Sequence, residues 1–329
     1  GGFSSDIPHS GFINNLASGT GSSSGRGGAM YVGGDLRLTA LAGSAWFRGN
    51  KAGPSGAEAP NALYLANELN NKTLSLAAGA GHTLYFYDPI ESNAANNNLT
   101  ININPNAGHI GKVLFDAYQS KIYGATTLHN GVLHLTNGAQ YGAANSVGSF
   151  TLNSGADILV DAKANRISAN NITLAGGGKV SALLSDAAPG DTNLILDSDP
   201  VNPIVAGEKI TVDALNTGAL NGTYHIVRAT NDFVFSTGNV NGLFDGRIFF
   251  NAPNPRYGKA VYDFSNVGFV NINVSGADSA RQATWTGAAG DGEWNLASKN
   301  WSLSGNPGAL NGWFKAGDSV LFAGAGAGA

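Results

Sequence analysis

The sequence contains no cysteine and little charge. The absence of cysteine among its 329 residues excludes disulfides, thiolate metal sites and a cysteine nucleophile, and it suits a chain exported unfolded through an oxidising compartment. Charged residues make up only 12% of the chain, about half the usual share. With 18 Lys and Arg against 22 Asp and Glu, the net charge is −4 and no basic patch is visible. Nucleic acids and anionic membrane surfaces are therefore not expected partners.

Long apolar runs are also missing. No run approaches the ~18 apolar residues of a membrane helix, so we expect no membrane insertion by this fragment. No signal peptide opens the sequence. These features indicate an excised piece of a larger protein.

What the chain has instead is glycine, asparagine, serine and threonine between short apolar stretches. Gly alone contributes 47 residues. Helical periodicity is almost absent, whereas brief alternating strands followed by turns recur throughout. Examples are ALYL at 62–65, TLYFY at 83–87, LTININ at 99–104, SFTL at 149–152 and NITL at 171–174. The pattern predicts an all-β fold.

A leucine recurs in these strands at intervals of 21, 17, 22 and 22 residues: Leu114, Leu135, Leu152, Leu174 and Leu196. A period near twenty fits one coil of a β-solenoid. A leucine-rich repeat would show its own signature, which is missing, and a hairpin-built barrel would have Asn-Gly at most strand junctions. We predict a right-handed parallel β-helix of about 12 to 15 coils, with strands about 4.8 Å apart. Four of these leucines should form one core column, with Asn, Ser and Thr facing outward: Leu114, Leu135, Leu152 and Leu174.

The predicted solenoid divides into three ranges. Residues 1–185 and 251–329 are predicted to be β-helix coils, with a tryptophan-rich segment in the second range. Residues 186–250 contain acidic and proline-rich turns and then a strand–turn–strand pattern. This middle range predicts a small antiparallel β insertion, either a protruding subdomain or an irregular corner. Residues 17–28, rich in Gly and Ser, predict a flexible loop.

Three segments resemble the passenger domains of bacterial autotransporters. The pair GGAMYV at 27–32 and AWFRGNKA at 45–52 is similar to the GGAI and FxxN motifs of polymorphic outer-membrane proteins and related adhesins, with Met30 where isoleucine is usual. The segment from NALYL to TLYFYDPI, at 61–90, is similar to passenger segments that end in YDPI. The third segment, 284–322, resembles the autotransporter-associated β-strand repeat, with Trp285, Trp294, Trp301 and the closing Gly317-Asp318-Ser319.

The resemblance covers roughly a third of the chain and implies an adhesin-type passenger, secreted and displayed at the bacterial cell surface. The outer-membrane β-barrel that anchors such proteins is not in this sequence, so anchoring is expected only of the parent protein. We interpret the tryptophans as core packing where the coil widens or ends, with stacking on sugars as the alternative.

Motifs for catalysis or metal binding are weak. GSSSG at 21–25 fits the nucleophile-elbow pattern but lacks the flanking strand and helix that the motif requires. GDS at 317–319 is followed by Val320 rather than glycine, and no matching His–Asp domain precedes it, so a serine protease is not expected. Calcium prefers oxygen ligands, but the calcium-roll repeat is missing. We therefore interpret four aspartates as solvated turn residues: Asp186, Asp191, Asp197 and Asp199. We predict no catalytic residue, no metal and no cofactor.

These observations together predict a surface adhesin that works by contact rather than catalysis. Its expected partners are a host extracellular-matrix protein, a cell-surface glycan or a second copy of itself. The alternatives are a polysaccharide-degrading β-helix enzyme of the tailspike or lyase kind, which needs paired carboxylates in a groove, and a passive presenting stalk. The predicted insertion is the expected location of a partner contact, and its candidate residues are Asp197, Asp199, Tyr224, His225, Arg228, Asn231 and Asp232.

Overall fold

The computed structural model describes most of the first 200 residues and a series of strands beyond them. The described residues are 10–19, 25–66, 69, 71–92, 98–116, 118–142, 148–161, 163–184, 190–199, 204–206, 210–215, 222–231, 233–235, 244–249, 259–263, 268–275, 282–285, 301–303 and 319–322. All regular structure within these ranges is β-strand. None of the described residues forms a helix long and apolar enough to cross a membrane.

The strands are short, as the alternating sequence pattern predicts, and we number them in chain order. They are β1 (Ser10–Ile13), β2 (Leu16–Gly19), β3 (Met30–Val32), β4 (Leu36–Ala40), β5 (Ala45–Arg48), β6 (Lys51–Pro54), β7 (Ala59–Pro60), β8 (Leu63–Leu65), β9 (Thr73–Ala78), β10 (Thr83–Phe86), β11 (Ile90–Ser92), β12 (Thr100–Ile103), β13 (Lys112–Asp116), β14 (Gln119–Ser120), β15 (Ala125–Leu128), β16 (Val132–Thr136), β17 (Gln140–Gly142), β18 (Ser149–Leu152), β19 (Asp157–Val160), β20 (Asn165–Ala169), β21 (Asn171–Leu174), β22 (Lys179–Leu183), β23 (Thr192–Ser198), β24 (Ile204–Ala206), β25 (Ile210–Leu215), β26 (Gly222–Ala229), β27 (Phe233–Phe235), β28 (Phe244–Phe249), β29 (Lys259–Asp263), β30 (Phe269–Ser275), β31 (Gln282–Trp285), β32 (Trp301–Leu303) and β33 (Ser319–Phe322).

Three long sheets run side by side along the molecule, and the chain visits them in rotation. Sheet I has the order β1-β5-β10-β13-β16-β19-β22-β25-β28, and sheet II has the order β27-β24-β21-β18-β15-β12-β9-β4. Sheet III has the order β14-β17-β20-β23-β26-β30-β29, and a three-stranded sheet, β3-β8-β11, precedes it and is joined to it by the bridge between Glu91 and Lys121. Each turn of the chain therefore contributes one strand to each of three sides, and strands of the first two turns also form a small sheet of order β2-β6-β7. The parallel β-helix predicted from the sequence is confirmed.

The coils are longer and fewer than the leucine period predicts. Register partners in neighbouring coils are 20 residues apart at the closest, between Lys112 and Val132, and 39 apart between Ala45 and Leu84. The longest sheet has nine strands among the described residues, instead of the expected 12 to 15 coils. The reason is that loops of variable length at the corners extend each coil beyond its three short strands.

The core consists of columns of identical or similar side chains stacked between coils. On sheet I, Phe12, Phe47, Phe86 and Phe115 stack with ring centroids 5.2, 4.9 and 5.1 Å apart, and Leu135 follows in register. On sheet II, the inward column contains Leu76, Ile103, Leu128, Leu152 and Leu174. Nearly all of these inward residues are fully buried, so most of the hydrophobic stabilisation comes from contacts between adjacent coils.

The prediction that four of the recurring leucines form one column is wrong. Leu135 belongs to sheet I, Leu152 and Leu174 stack on sheet II, and Leu196 belongs to sheet III. Leu114 points outward and is only half-buried, because Phe115 takes the inward position of its strand. Equal spacing in sequence therefore does not mean equal position in coils of unequal length.

The sequence predicts a small antiparallel insertion at 186–250, but the strands described in that range continue the three parallel sheets, and among them β26 alone also has an antiparallel neighbour, β30, outside the range. Strand β23 pairs in parallel with β20, β25 with β22, and β24 with β21, each continuing one of the three sheets. Strands β26, β27 and β28 add a further coil in the same way. In β23 and β26, four apolar residues are fully buried, so these two strands contribute to the core: Leu194, Leu196, Tyr224 and Ile226.

Antiparallel pairs occur outside the predicted range as well, between β6 and β7 near the start of the chain and between strands that follow residue 251. Strand β30 runs antiparallel to both β26 and β29 at the end of sheet III. The expectation of simple coil continuation after residue 251 is therefore wrong at this point. The tryptophan-rich segment contains a separate sheet, β32-β31-β33, in which Trp285 pairs with Trp301 and with Phe322. Trp294 and the closing Gly317-Asp318 lie outside the described residues.

Candidate functional site

The described candidate partner residues lie on or next to strands β23 and β26 of sheet III, where most of them contact other residues of the molecule. The Asp197 carboxylate accepts hydrogen bonds from Arg166 Nη1 at 2.7 Å, Ser168 Oγ at 3.3 Å and Thr230 Oγ1 at 3.0 Å. Asn231 donates from Nδ2 to the carbonyl oxygens of Ser198 and Asp199, at 2.8 and 3.0 Å. These contacts join consecutive coils.

The remaining candidates differ in accessibility. Tyr224 is fully buried, so its ring cannot reach a partner. His225 Nδ1 lies 2.7 Å from Asn271 Oδ1, and its ring centroid lies 5.0 Å from that of Phe269. Arg228 is exposed, with its guanidinium 5.9 Å from the Phe269 centroid. Asp232 lies outside the described residues. A partner contact at the accessible members stays a prediction.

The FRGN and YDPI motifs bind each other inside the molecule. The Asp88 carboxylate accepts hydrogen bonds from the backbone N–H of Gly49 and Asn50, at 3.0 and 2.8 Å, and from Asn50 Nδ2 at 2.8 Å. Asn50 Nδ2 also donates to the Phe12 carbonyl at 2.9 Å, and Asn15 Nδ2 donates to Asn50 Oδ1 at 2.8 Å. Because Asn50 is fully buried, this ladder satisfies polar groups at one corner of three coils. These motif residues are structural.

The GGAM motif has a similar structural role. Gly27 has a φ of 71°, in the left-handed region that favours glycine. A Cβ on the buried Gly28 would meet the carbonyl oxygen of Asn61 and the amide nitrogen of Lys51 below normal contact distance. The two glycines thus allow the chain to cross closely over the next coil before β3 pairs with β8.

The outward side of sheet II is a polar ladder. One outward column contains Ser75, Asn102, Thr127, Thr151 and Thr173 in register. Asn102 Oδ1 lies 2.8 Å from His129 Nε2, and burial lowers the pKa of His129. The prediction that Asn, Ser and Thr face outward is confirmed on this side.

The central outward column of sheet I is aromatic and aliphatic instead. Trp46 and Tyr85 stack with centroids 5.4 Å apart, and Tyr85 and Tyr87 lie 5.7 Å apart with rings 4° from parallel. Leu114 and His134 continue the column of Trp46 and Tyr85. The prediction of outward polar residues is wrong for this column, whereas the outward column beside it includes Thr83, Lys112, Asp157 and Lys179.

His134 is the unusual member of this column. It lies in register between Leu114 and Leu159, and both ring nitrogens are buried without a hydrogen-bond partner. Burial, with a smaller contribution from the charge of Lys112, lowers the pKa of His134 to about 4. The side chain is therefore neutral at ordinary pH.

A shallow depression of about 310 Å³ lies where sheet I begins. Its lining residues are Ile13, Trp46, Arg48 and Tyr87, and we call it the Trp46 depression. The exposed Arg48 guanidinium lies 5.6 Å from the Tyr87 centroid, and Ile13 is 53% exposed. Burial, together with Tyr85 and Asp116, raises the pKa of Tyr87, so its hydroxyl stays protonated.

Sequence reasoning missed the Trp46 depression. Its signal was present, because the strands AWFR and TLYFY carry aromatic residues at consecutive positions and so must place some of them outward. Among the described residues, no cluster of three or more His, Cys, Asp or Glu side chains is arranged to hold a metal ion.

The sequence is similar to outer-membrane proteins of Chlamydia pneumoniae. A stretch of 86 residues is 43% identical to the probable outer membrane protein pmp6 and covers 25% of this chain and 6% of that relative. A stretch of 164 residues is 30% identical to the probable outer membrane protein pmp13 and covers 43% of this chain and 16% of that relative. A third match, to the probable outer membrane protein pmp10 of the same organism, is 29% identical over 187 residues. It covers 50% of this chain and 20% of that relative.

These matches confirm the resemblance to polymorphic outer-membrane autotransporters that the sequence motifs indicate. The matched stretches amount to one fifth or less of the length of these relatives. No protein-family model matches the chain, and no solved structure matches it.

Proposed function

Given this resemblance to polymorphic outer-membrane proteins, we propose that the chain is part of a passenger domain exposed at the bacterial surface and attaches the cell to other surfaces. The attachment is to a host matrix protein or cell-surface glycan, or to a second copy of the chain. It acts by contact and catalyses no reaction.

The observation that supports this proposal is the continuity of the outward columns. Because consecutive coils stack in parallel and in register, outward side chains repeat along sheets I and II over most of the described length. Sheet II offers hydroxyl and amide groups, and sheet I offers aromatic and aliphatic groups. Columns of similar groups repeated along a face suit many weak contacts made together.

Attachment is tested with beads coated with the purified chain and control beads coated with the heat-denatured chain. Retention is measured on cultured epithelial cells, on matrix-protein coatings and on glycan arrays, and bead clumping is measured in parallel. We expect retention or clumping for the native chain alone. Equal behaviour of the two bead types in every assay would contradict the proposal.

The enzymatic alternative has its own test. The chain is incubated with a panel of polysaccharides, and new reducing ends and unsaturated products are measured. We expect none above a buffer control. Product formation that depends on the folded chain would replace the attachment proposal with a polysaccharide-degrading activity.

A further inference from the structure

The Trp46 depression is the described surface feature best suited to a small ligand. Its volume of about 310 Å³ lies at the lower end of the range for ligand sites, roughly 300 to 1,000 Å³. It is open and shallow, so it fits one ring-sized group at the end of a larger molecule.

The walls of the depression are held rigidly. Strand β5, which carries Trp46 and Arg48, pairs with β1 on one edge and with β10 on the other. Tyr85 packs against both Trp46 and Tyr87 from the same face. Binding would therefore order few side chains, which lowers its entropic cost.

The chemistry of the lining combines flat apolar surface with one cation. Trp46, Tyr87 and Ile13 supply apolar area, and the Arg48 guanidinium supplies N–H donors whose fork matches a carboxylate. No carboxylate in the described part of the chain forms an ion pair with Arg48, which contacts the Tyr87 ring.

The charges of Arg48 and Asp116 determine on which side of Tyr87 an anionic group can bind. Asp116 follows Tyr87 in the next coil, and its carboxylate accepts hydrogen bonds from Thr136 Oγ1 and Asn137 Nδ2. Its negative charge repels an anionic group on that side of Tyr87, so an anionic group would lie on the other side, beside Arg48. An extended peptide is a poor occupant because both edges of β5 are already paired and no strand can be added there.

We propose that the Trp46 depression binds a pyranose ring that carries a carboxylate, at the end of a glycan. The apolar side of the sugar ring packs on Trp46 and Tyr87, and the carboxylate pairs with Arg48. This inference deepens the proposed attachment function by naming the chemistry that one site recognises.

The test compares two sugars that differ only at the carboxylate, methyl β-D-glucuronide and methyl β-D-glucoside. Binding to the whole chain is measured by saturation-transfer NMR and isothermal titration. We expect the glucuronide to bind about tenfold more tightly, since a hydrogen bond to a charged group contributes at least that factor. The substitution Arg48→Gln should abolish the preference.

Arg26→Gln is the matched control, because Arg26 is also exposed and stacks on a tyrosine, with its guanidinium 4.7 Å from the Tyr64 centroid. It should leave the preference unchanged. Tyr87→Leu should weaken binding of both sugars, with unchanged melting as evidence of folding. Equal affinity for the two sugars, an equal loss in Arg26→Gln, or no loss in Arg48→Gln would overturn the proposal.

A cell assay separates this inference from the general one. If coated beads adhere but neither Arg48→Gln nor free glucuronide reduces adhesion, the site proposal fails and the attachment function stands. If the sugar binds with the expected preference but beads do not adhere, the attachment function fails and the sugar site stands.

Discussion

At the scale of single residues, His134 makes the stability of the fold depend on pH. Its pKa is about 4 in the folded chain and about 6.5 when unfolded, so the unfolded chain takes up a proton more readily between these values. Stability should therefore fall as the pH drops from 6.5 towards 4. The expected loss between pH 7.5 and pH 5 is about 2 kcal/mol, measured by urea unfolding.

His134→Leu removes the buried, unpaired ring nitrogens and should be more stable than the parent at both pH values. It should also lose the share of the pH dependence that His134 contributes, while His109 and His129, whose pKa values burial also lowers, keep theirs. The control is His82→Leu, at a partly exposed corner. If His134→Leu kept the full pH dependence, the environment described for His134 would be wrong.

The Asn50 ladder leads to a second prediction at this scale. Asn50→Ala removes the hydrogen bonds from Asn50 Nδ2 to the Asp88 carboxylate and to the Phe12 carbonyl. The buried Asp88 carboxylate keeps the bond from the backbone N–H of residue 50. We expect a loss of about 3 kcal/mol in the free energy of unfolding. Asn171→Ala, at an exposed outward position of β21, should change it by less than about 0.5 kcal/mol. Similar losses in both variants would show that the ladder contributes little.

At the scale of single elements, the alternation of each strand separates core from surface. In β18, Leu152 is fully buried and the adjacent Thr151 faces outward. Leu152→Asp buries an unpaired charge and should cost several kcal/mol, whereas Thr151→Asp should cost less than about 1 kcal/mol. Thermal melting of the two variants gives the comparison. Equal melting temperatures would contradict the register of β18.

The strands show how far sequence reasoning reaches. Period-2 alternation predicted the strands, and the repeat near twenty residues predicted that they stack in parallel as coils of a solenoid. It did not assign leucines to sheets, since loops of different length shift each strand within its coil. It also missed the Trp46 depression, because Trp46 and Phe47 are adjacent and equally apolar, and only the observed register decides which one faces outward.

At the scale of the whole molecule, each coil contacts only its neighbours, so a complete coil is a unit that can be removed. Register partners link Lys112 to Val132 and Val132 to Asp157, so deletion of residues 132–156 places β19 directly on β13. The same deletion places β20 on β14 and β21 on β15, again in register. The shortened chain should keep its strand signal in circular dichroism and a cooperative melt.

The matched comparison is the deletion of residues 132–142, which removes β16 and β17 but leaves β18. Strand β18 would then follow β15 with no strand on sheets I and III between them, so the chain could not complete the coil that places β18 on sheet II. Although it removes fewer residues, this variant should lose cooperative melting. If the smaller deletion were better tolerated than the larger one, stacking of whole coils would not be what holds the molecule together.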